Sequence, residues 1–236
     1  MHNHFHVTND YRTMQQLVTE RLRGAILDGT FKLNEKLNQS DLAQKLNVSR
    51  IPTREALRTL EAEGLVKFHP HRGAVVATMS QEEIREVYEI RILLEVRAAL
   101  GAMKRINPEQ LRHVKSLQQQ MIRTTDLDEW VLLNNRFHLG IYEASGWTRL
   151  QGVIEMLRNL TAPYVRLYVT DRFDRDSANT EHATIVEALE KRNSAAMRNL
   201  LKRHLAHVCD GIISKLNRDN SSPPGVAKES VLVSTD

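Results

Sequence analysis

Apolar and polar positions along this chain alternate with two different periods. In "MQQLVTERLRGAILDG", Leu17, Val18, Leu22, Ala25 and Ile26 recur at three- and four-residue steps, the mark of one helix face, and Gly29 supplies a stop. "QSDLAQKL" repeats the pattern with Leu42, Ala43 and Leu46 behind Asn38, a residue type that caps free N–H groups. "NVSRIPTREALRTLEAEG" gathers Ala56, Leu57 and Leu60 on one side together with Pro52. The period then shortens. "GLVKFHPHRGAVVA" holds two β-rich runs around "HPHRG", which predicts a hairpin.

From Ser80 onward the pattern is helical almost throughout. Ser80 precedes Glu83 by three residues, a capping box that opens a long helix to about Arg105. Asn107-Pro108 begins another helix, and others are predicted at about 127–144, 148–169, 178–192 and 195–217. No internal repeat is present. The predicted fold is mainly α. Residues 1–12 form an N-terminal tail and 13–79 a winged helix-turn-helix domain, followed by an all-α antiparallel helical bundle over 80–217. Residues 218–236, rich in Ser, Pro and Gly, are expected to be a disordered tail.

The helix after Ser49 carries a basic ridge. At 100° per residue, Arg50, Arg54 and Arg58 lie within about 80° of one another, opposite the apolar side. Pro52 falls in the first turn, where a missing N–H costs nothing. Asn47-Val48-Ser49 alone separates this helix from the one before, which is helix-turn-helix spacing with a second helix suited to a major groove. A plain surface helix, its arginines paired with Glu55, Glu61 or Glu63, is the competing reading. The hairpin that follows favours DNA, because His69, His71, Arg72 and Gly73 sit at its tip, where a wing reaches an adjacent groove.

Composition narrows the picture without deciding it. Of 236 residues, 41% are hydrophobic and 26% charged, as in ordinary globular proteins. Residues 1–79 hold 11 Lys+Arg against 8 Asp+Glu, while residues 80–236 are nearly balanced at 22 against 21, so the small basic excess lies with the ridge. No apolar run approaches the ~18 residues of a membrane span, and the amino terminus lacks a signal-peptide core. Cys209 is the single cysteine and cannot close an intrachain disulfide. The expected compartment is the cytoplasm, with no membrane partner.

The stretch "LNQSDLAQKLNVSRIPTREALRTLEAEGLVKFHPHRGAVV" resembles the DNA-binding domain of GntR-type bacterial transcription regulators, matching its LA, VSR-P-REAL-L-EGLV and RG pattern. The resemblance implies that Arg50 and Arg54 contact bases and phosphates, that Thr53 supports them and that Gly73 enters the minor groove. Arg58, His71 and Arg72 complete the expected DNA face. Asn34 and Asn47 stand where the family commonly has glycine. Ile51 occupies a variable recognition position, so no operator sequence carries over.

Three of the ten histidines face inward. His138 shares its helix face with Val131, Ile141 and Tyr142, His182 with Ile185, Val186 and Leu189, and His204 with Met197, Leu201 and Val208. Each alone reads as a hydrogen-bonded core histidine. Three neutral imidazoles converging in a bundle read as a divalent metal site, to which Asn134, one turn before His138, could add an amide oxygen. Arg91 lies on the inward stripe of Ile84, Val87, Tyr88 and Leu94, facing either Glu95 or a ligand. His2, His4 and His6 are expected to be solvated.

The segments "NNRFHLGIYEASGW", "EHATIVEAL" and "AAMRNLLKRHL" are similar to the FCD ligand-binding domain of the FadR subfamily. Metal-binding members use three histidines, here His138, His182 and His204, plus an aspartate whose place is taken by Asn134. The resemblance implies a divalent ion of the Zn, Ni or Mn type and an arginine, Arg91, that meets an effector carboxylate. The function expected is a homodimeric DNA-binding transcription regulator, in all a repressor rather than an enzyme. It would bind a palindromic operator in double-stranded DNA and answer to a small carboxylate or sugar-acid effector. The rivals are a metallohydrolase fused to a DNA-binding module, for which Glu181 beside His182 is a candidate base, and a structural dimeriser with three core histidines.

Overall fold

The computed structural model describes residues 12–221; the expectations for the amino-terminal tail and for residues beyond 221 lie outside this range. The amino-terminal part runs α1 (Met14–Leu27), β1 (Lys36–Leu37), α2 (Gln39–Lys45), α3 (Arg50–Ala62), β2 (Val66–His69) and β3 (Gly73–Val76). Each boundary has a local cause. Thr13 closes a capping box with Gln16, Asn38 accepts from the N–H groups of Ser40 and Asp41, and Asn47 takes the left-handed turn (φ 52°) between α2 and α3. Ser49 holds the N-cap position of α3, but its side chain makes no capping bond.

The three strands form an antiparallel sheet in the order β1-β3-β2, with Lys36 opposite Val75 and His69 opposite Gly73. β1 was not expected, since two residues are too few to show a period. Val18, Leu22, Ile26, Leu57, Leu60 and Val76 meet in one apolar core beneath the sheet and α3. This is a winged helix-turn-helix.

The remainder is helical: α4 (Gln81–Arg105), α5 (Pro108–Arg123), α6 (Leu127–Glu143), α7 (Thr148–Tyr168), α8 (Arg172–Glu190) and α9 (Ser194–Ser221). The Ser80–Glu83 capping box opens α4 as predicted, and α5 starts at Pro108 as expected, with an Asn107–Gln110 capping box in addition. Two ends differ from expectation. α8 begins at Arg172 rather than 178: its first turns carry no apolar stripe, and Arg175 there donates back to the carbonyls of Val169 and Thr170 at the end of α7. α9 continues to Ser221 rather than 217. The second core is built on Tyr88, Phe137, Ile141, Tyr142, Ile185 and Leu201.

α7 touches both parts. Its Leu160 packs on the winged-helix core, its Tyr164 hydroxyl accepts from the Met79 N–H, and its Arg166 lies against Gly29 at the end of α1.

Candidate functional site

The ridge on α3 is exposed at Arg50, Arg54 and Arg58, above buried Ala56, Leu57 and Leu60. The ion pairs weighed from the sequence exist in part. Arg54 reaches Glu55 at 3.2 Å and Arg58 reaches Glu61 at 2.7 Å, while Arg58 also stacks on the Phe68 ring at 4.1 Å. Exposed pairs of this kind are worth about 0–1 kcal/mol, so a phosphate can replace them. Arg50 has no side-chain partner among the described residues. Thr53 is fully buried and donates to the Ser49 carbonyl, so it supports the helix and is not available at a DNA surface.

Pro70, His71 and Arg72 form the turn between the wing strands. His71 is exposed, and Arg72 is held back by Asn34, donating to its side-chain oxygen at 3.0 Å and its carbonyl at 3.2 Å. Gly73 adopts φ 78° with nothing near the position of a Cβ, so a backbone turn and not a crowded contact calls for glycine.

In the bundle, His138 of α6, His182 of α8 and His204 of α9 come together. One nitrogen from each lies within 4.8 Å of the others, and all three rings are buried. Burial, the nearby Arg158 and the other imidazoles push His138 well below the usual histidine range, and burial and His204 do the same to His182. Both rings are therefore neutral, the form that ligates metal.

Both nitrogens of His182 are buried without a hydrogen-bond partner. A core histidine kept for structure would satisfy at least one of them. His204 is oriented from behind, its Nδ1 lying 2.6 Å from Glu181 Oε2, with His207 on the other carboxylate oxygen at 3.0 Å. A carboxylate only accepts, so Nδ1 carries a hydrogen toward Glu181, and Nε2 is the nitrogen turned toward the other two rings as the candidate ligand atom. Burial opposes ionisation of Glu181, but the bonds from His204 and His207 hold its carboxyl down at about 2. Glu181 is thus a support behind His204, not a base facing a substrate. The donor set fits a divalent metal.

Arg91 takes the local partner: its Nε lies 2.7 Å from Glu95, while another nitrogen donates to Thr161 at 2.8 Å. Arg158 of α7 was not singled out from the sequence. It meets the same Glu95 carboxylate at 3.2 Å and donates to Asn135 at 3.0 Å. Tyr142 also donates to Glu95. Arg158 and Thr161 occupy the apolar stripe of α7 with Ile154, Leu157, Tyr164 and Tyr168, and that placement was the available signal. Burial disfavours the charge on all three ions. Even so, Glu95 keeps Arg91 above its ordinary range and the two arginines keep Glu95 below its own, whereas Arg158 falls. Two buried guanidiniums sharing one carboxylate leave an excess positive charge beside neutral imidazoles.

Asn134 lines the small inner space with His138, His204, Arg91 and Arg158, and makes no side-chain hydrogen bond among the described residues. The Tyr88 hydroxyl lines the same space, buried and unpartnered beneath Arg91. A larger cavity of about 460 Å³ adjoins it, sharing Arg91, Asn134 and Arg158 and reaching α1 at Gly24, Leu27 and Asp28.

A winged helix that presents arginines, coupled through α7 to a helical bundle with a buried polar site, defines a DNA-binding regulator. Residues 14–76 match the model for bacterial regulatory proteins of the gntR family and residues 86–207 that of the FCD domain; the chain belongs to the GntR family. It is similar to the HTH-type transcriptional repressor GlaR of Escherichia coli K12, 30% identical over 195 residues that cover 78% of this chain and 89% of that protein. It is also similar to the gluconate operon transcriptional repressor of Bacillus subtilis 168, 26% identical over 203 residues and 83% of each chain. Among solved structures, E. coli McbR/YncC superposes with a TM-score of 0.76 at 23% identity, over 89% of this chain and 100% of that one, a likeness of fold. These relatives are named as transcription regulators, which removes the hydrolase reading. No described helix is long and apolar enough to cross a membrane.

Proposed function

We propose that this GntR regulator is a cytoplasmic, homodimeric repressor whose operator affinity is set by a small carboxylate bound beside a divalent metal. The observation that carries the reading is the buried centre itself: three imidazoles, with both His182 nitrogens unpartnered, next to two guanidiniums that share one carboxylate. His138, His182 and His204 would hold a Zn, Ni or Mn type ion, with Asn134 as the candidate fourth protein ligand. The ion would supply a positive charge and an open coordination position for the effector. Arg91, Arg158 and Tyr88 would orient the effector carboxylate. Replacing the family aspartate with Asn134 leaves the centre one unit more positive, which favours an anion.

Coupling to DNA runs through α7. Arg158 and Thr161 face the centre, while Leu160, Tyr164 and Arg166 of the same helix meet the winged helix. A shift of α7 on effector binding would re-aim the recognition helices relative to their half-sites, and coupling of about 1–3 kcal/mol changes affinity 5- to 150-fold. Arg50, Arg54, Arg58, His71, Arg72 and Gly73 form the proposed DNA face, with Thr53 buried beneath it. Homodimerisation is supported by Ile90 and Leu93 on α4 and Val153 and Met156 on α7, apolar side chains left exposed on two helices that pack together.

Metal analysis of the purified protein, followed by gel-shift titration of the native operator with and without carboxylates, tests the reading. It expects near one divalent ion per chain, two protected symmetric half-sites and release on addition of effector. Metal-free protein with carboxylate-independent DNA binding would refute it.

A further inference from the structure

The 460 Å³ cavity carries information about the effector beyond its charge. Its floor is Arg91, Arg158 and Asn134, shared with the inner metal space. Above that floor the walls are mainly apolar, from Leu27 of α1, Val131 and Leu132 of α6, and Ala162 and Val165 of α7, while the polar wall residues Asn135 and Thr161 already accept from Arg158 and Arg91. A polyhydroxylated ligand would set the hydroxyls of its middle portion against these apolar side chains without partners, each at a real cost. The rim holds Asp28, Asp128 and Glu129. Arg166 neutralises Asp128, but no cation meets Asp28 or Glu129 among the described residues, so a second carboxylate at the far end would face like charge.

The roof adds an independent observation. Gly24 lies inside α1, where glycine costs roughly 0.5–1 kcal/mol relative to alanine. A Cβ there would meet nothing within 4 Å, so no neighbouring atom demands glycine; the missing side chain instead leaves open space over the cavity.

We infer that the effector is a monocarboxylate with an apolar body, its carboxylate on the Arg91–Arg158 floor and its body extending to Gly24 and Leu27 of α1. This deepens the carboxylate reading above and rests on it. A sugar acid, allowed by the sequence alone, fits the floor but not the walls. The effector then touches the DNA-binding part directly, since α1 packs on recognition helix α3.

Calorimetric titration of the full-length, metal-loaded protein with acetate, butyrate, hexanoate and octanoate tests this, with gluconate and adipate as polar and doubly charged comparisons. Affinity should rise about fourfold per added methylene until the cavity is filled, the value of roughly 0.8 kcal/mol per buried CH₂. Hexanoate should exceed gluconate and adipate at least tenfold. Gly24→Leu, which improves helix propensity and fills the roof, should lower the ratio of hexanoate to acetate affinity at least tenfold without lowering the melting temperature. Affinity independent of chain length, gluconate equal to hexanoate, or an unchanged ratio in Gly24→Leu would overturn the inference and leave the carboxylate reading intact. If no carboxylate binds wild type and Arg158→Met changes nothing, the carboxylate reading itself fails.

Discussion

Arginine does opposite things in the two halves of this molecule. On α3, Arg54 and Arg58 pair with Glu55 and Glu61 at the surface, where water screens both ions and either partner can leave. In the bundle, Arg91 and Arg158 converge on Glu95 with almost no exposure, so neither guanidinium can exchange its partner for water. The first arrangement suits a surface that must trade protein partners for phosphates. The second suits a site that holds an unbalanced charge until an anion arrives. The distances are alike, between 2.7 and 3.2 Å, and burial is what separates the two arrangements.

The contrast breaks most directly at Glu95. Glu95→Gln leaves two buried guanidiniums without a counter-ion and should cost about 3–5 kcal/mol in denaturant unfolding. The equivalent surface change, Glu61→Gln, should stay within about 0.5 kcal/mol. Equal losses would mean that the buried triad is hydrated and the comparison misplaced.

Arg54→Ala and Arg50→Ala should reverse that ranking. Each is expected to lose about 1–3 kcal/mol of operator affinity in gel-shift titration while unfolding as wild type does. Unchanged affinity in both variants would remove α3 as the recognition helix.

Asn134 sharpens the charge argument. Asn134→Asp should tighten divalent metal binding on the order of tenfold, about 1.4 kcal/mol, and weaken the carboxylate by a similar factor. His182→Ala is the control that should abolish metal binding. If Asn134→Asp moves neither ligand, residue 134 lies outside the coordination sphere.

The smallest effect belongs to the wing. Gly73→Ala meets no atom but imposes a side chain at φ 78°, so about 1 kcal/mol of stability should be lost from backbone strain alone. Operator affinity should fall further than stability if the wing reaches a groove, and footprinting would show the flanking protection disappear.

Much of this architecture was legible because its causes are local. The capping box at Ser80, the proline start at Asn107-Pro108, the left-handed Asn47 and the apolar stripes of α1 to α3 act within a turn or two of the residues concerned. The first turns of α8 were missed because a polar exposed segment shows no apolar period. The three histidines were found through three separate stripes. Arg158 and Thr161 carried the same kind of signal on α7, but a polar residue on an apolar face does not reveal whom it meets.

By itself, then, the sequence determined the helices, the wing, the outward ridge and the inward direction of His138, His182, His204 and Arg91. Helical periodicity declares a face within about three turns of chain, so neighbours in sequence suffice to show it. Tertiary structure alone decided the partners. Arg158 reaches Glu95 across 63 residues, His204 is turned by Glu181 across 23, and α7 joins the charged centre to the winged helix. A face has a direction but no address, and the address comes from how helices distant in the chain pack to bury their apolar stripes together.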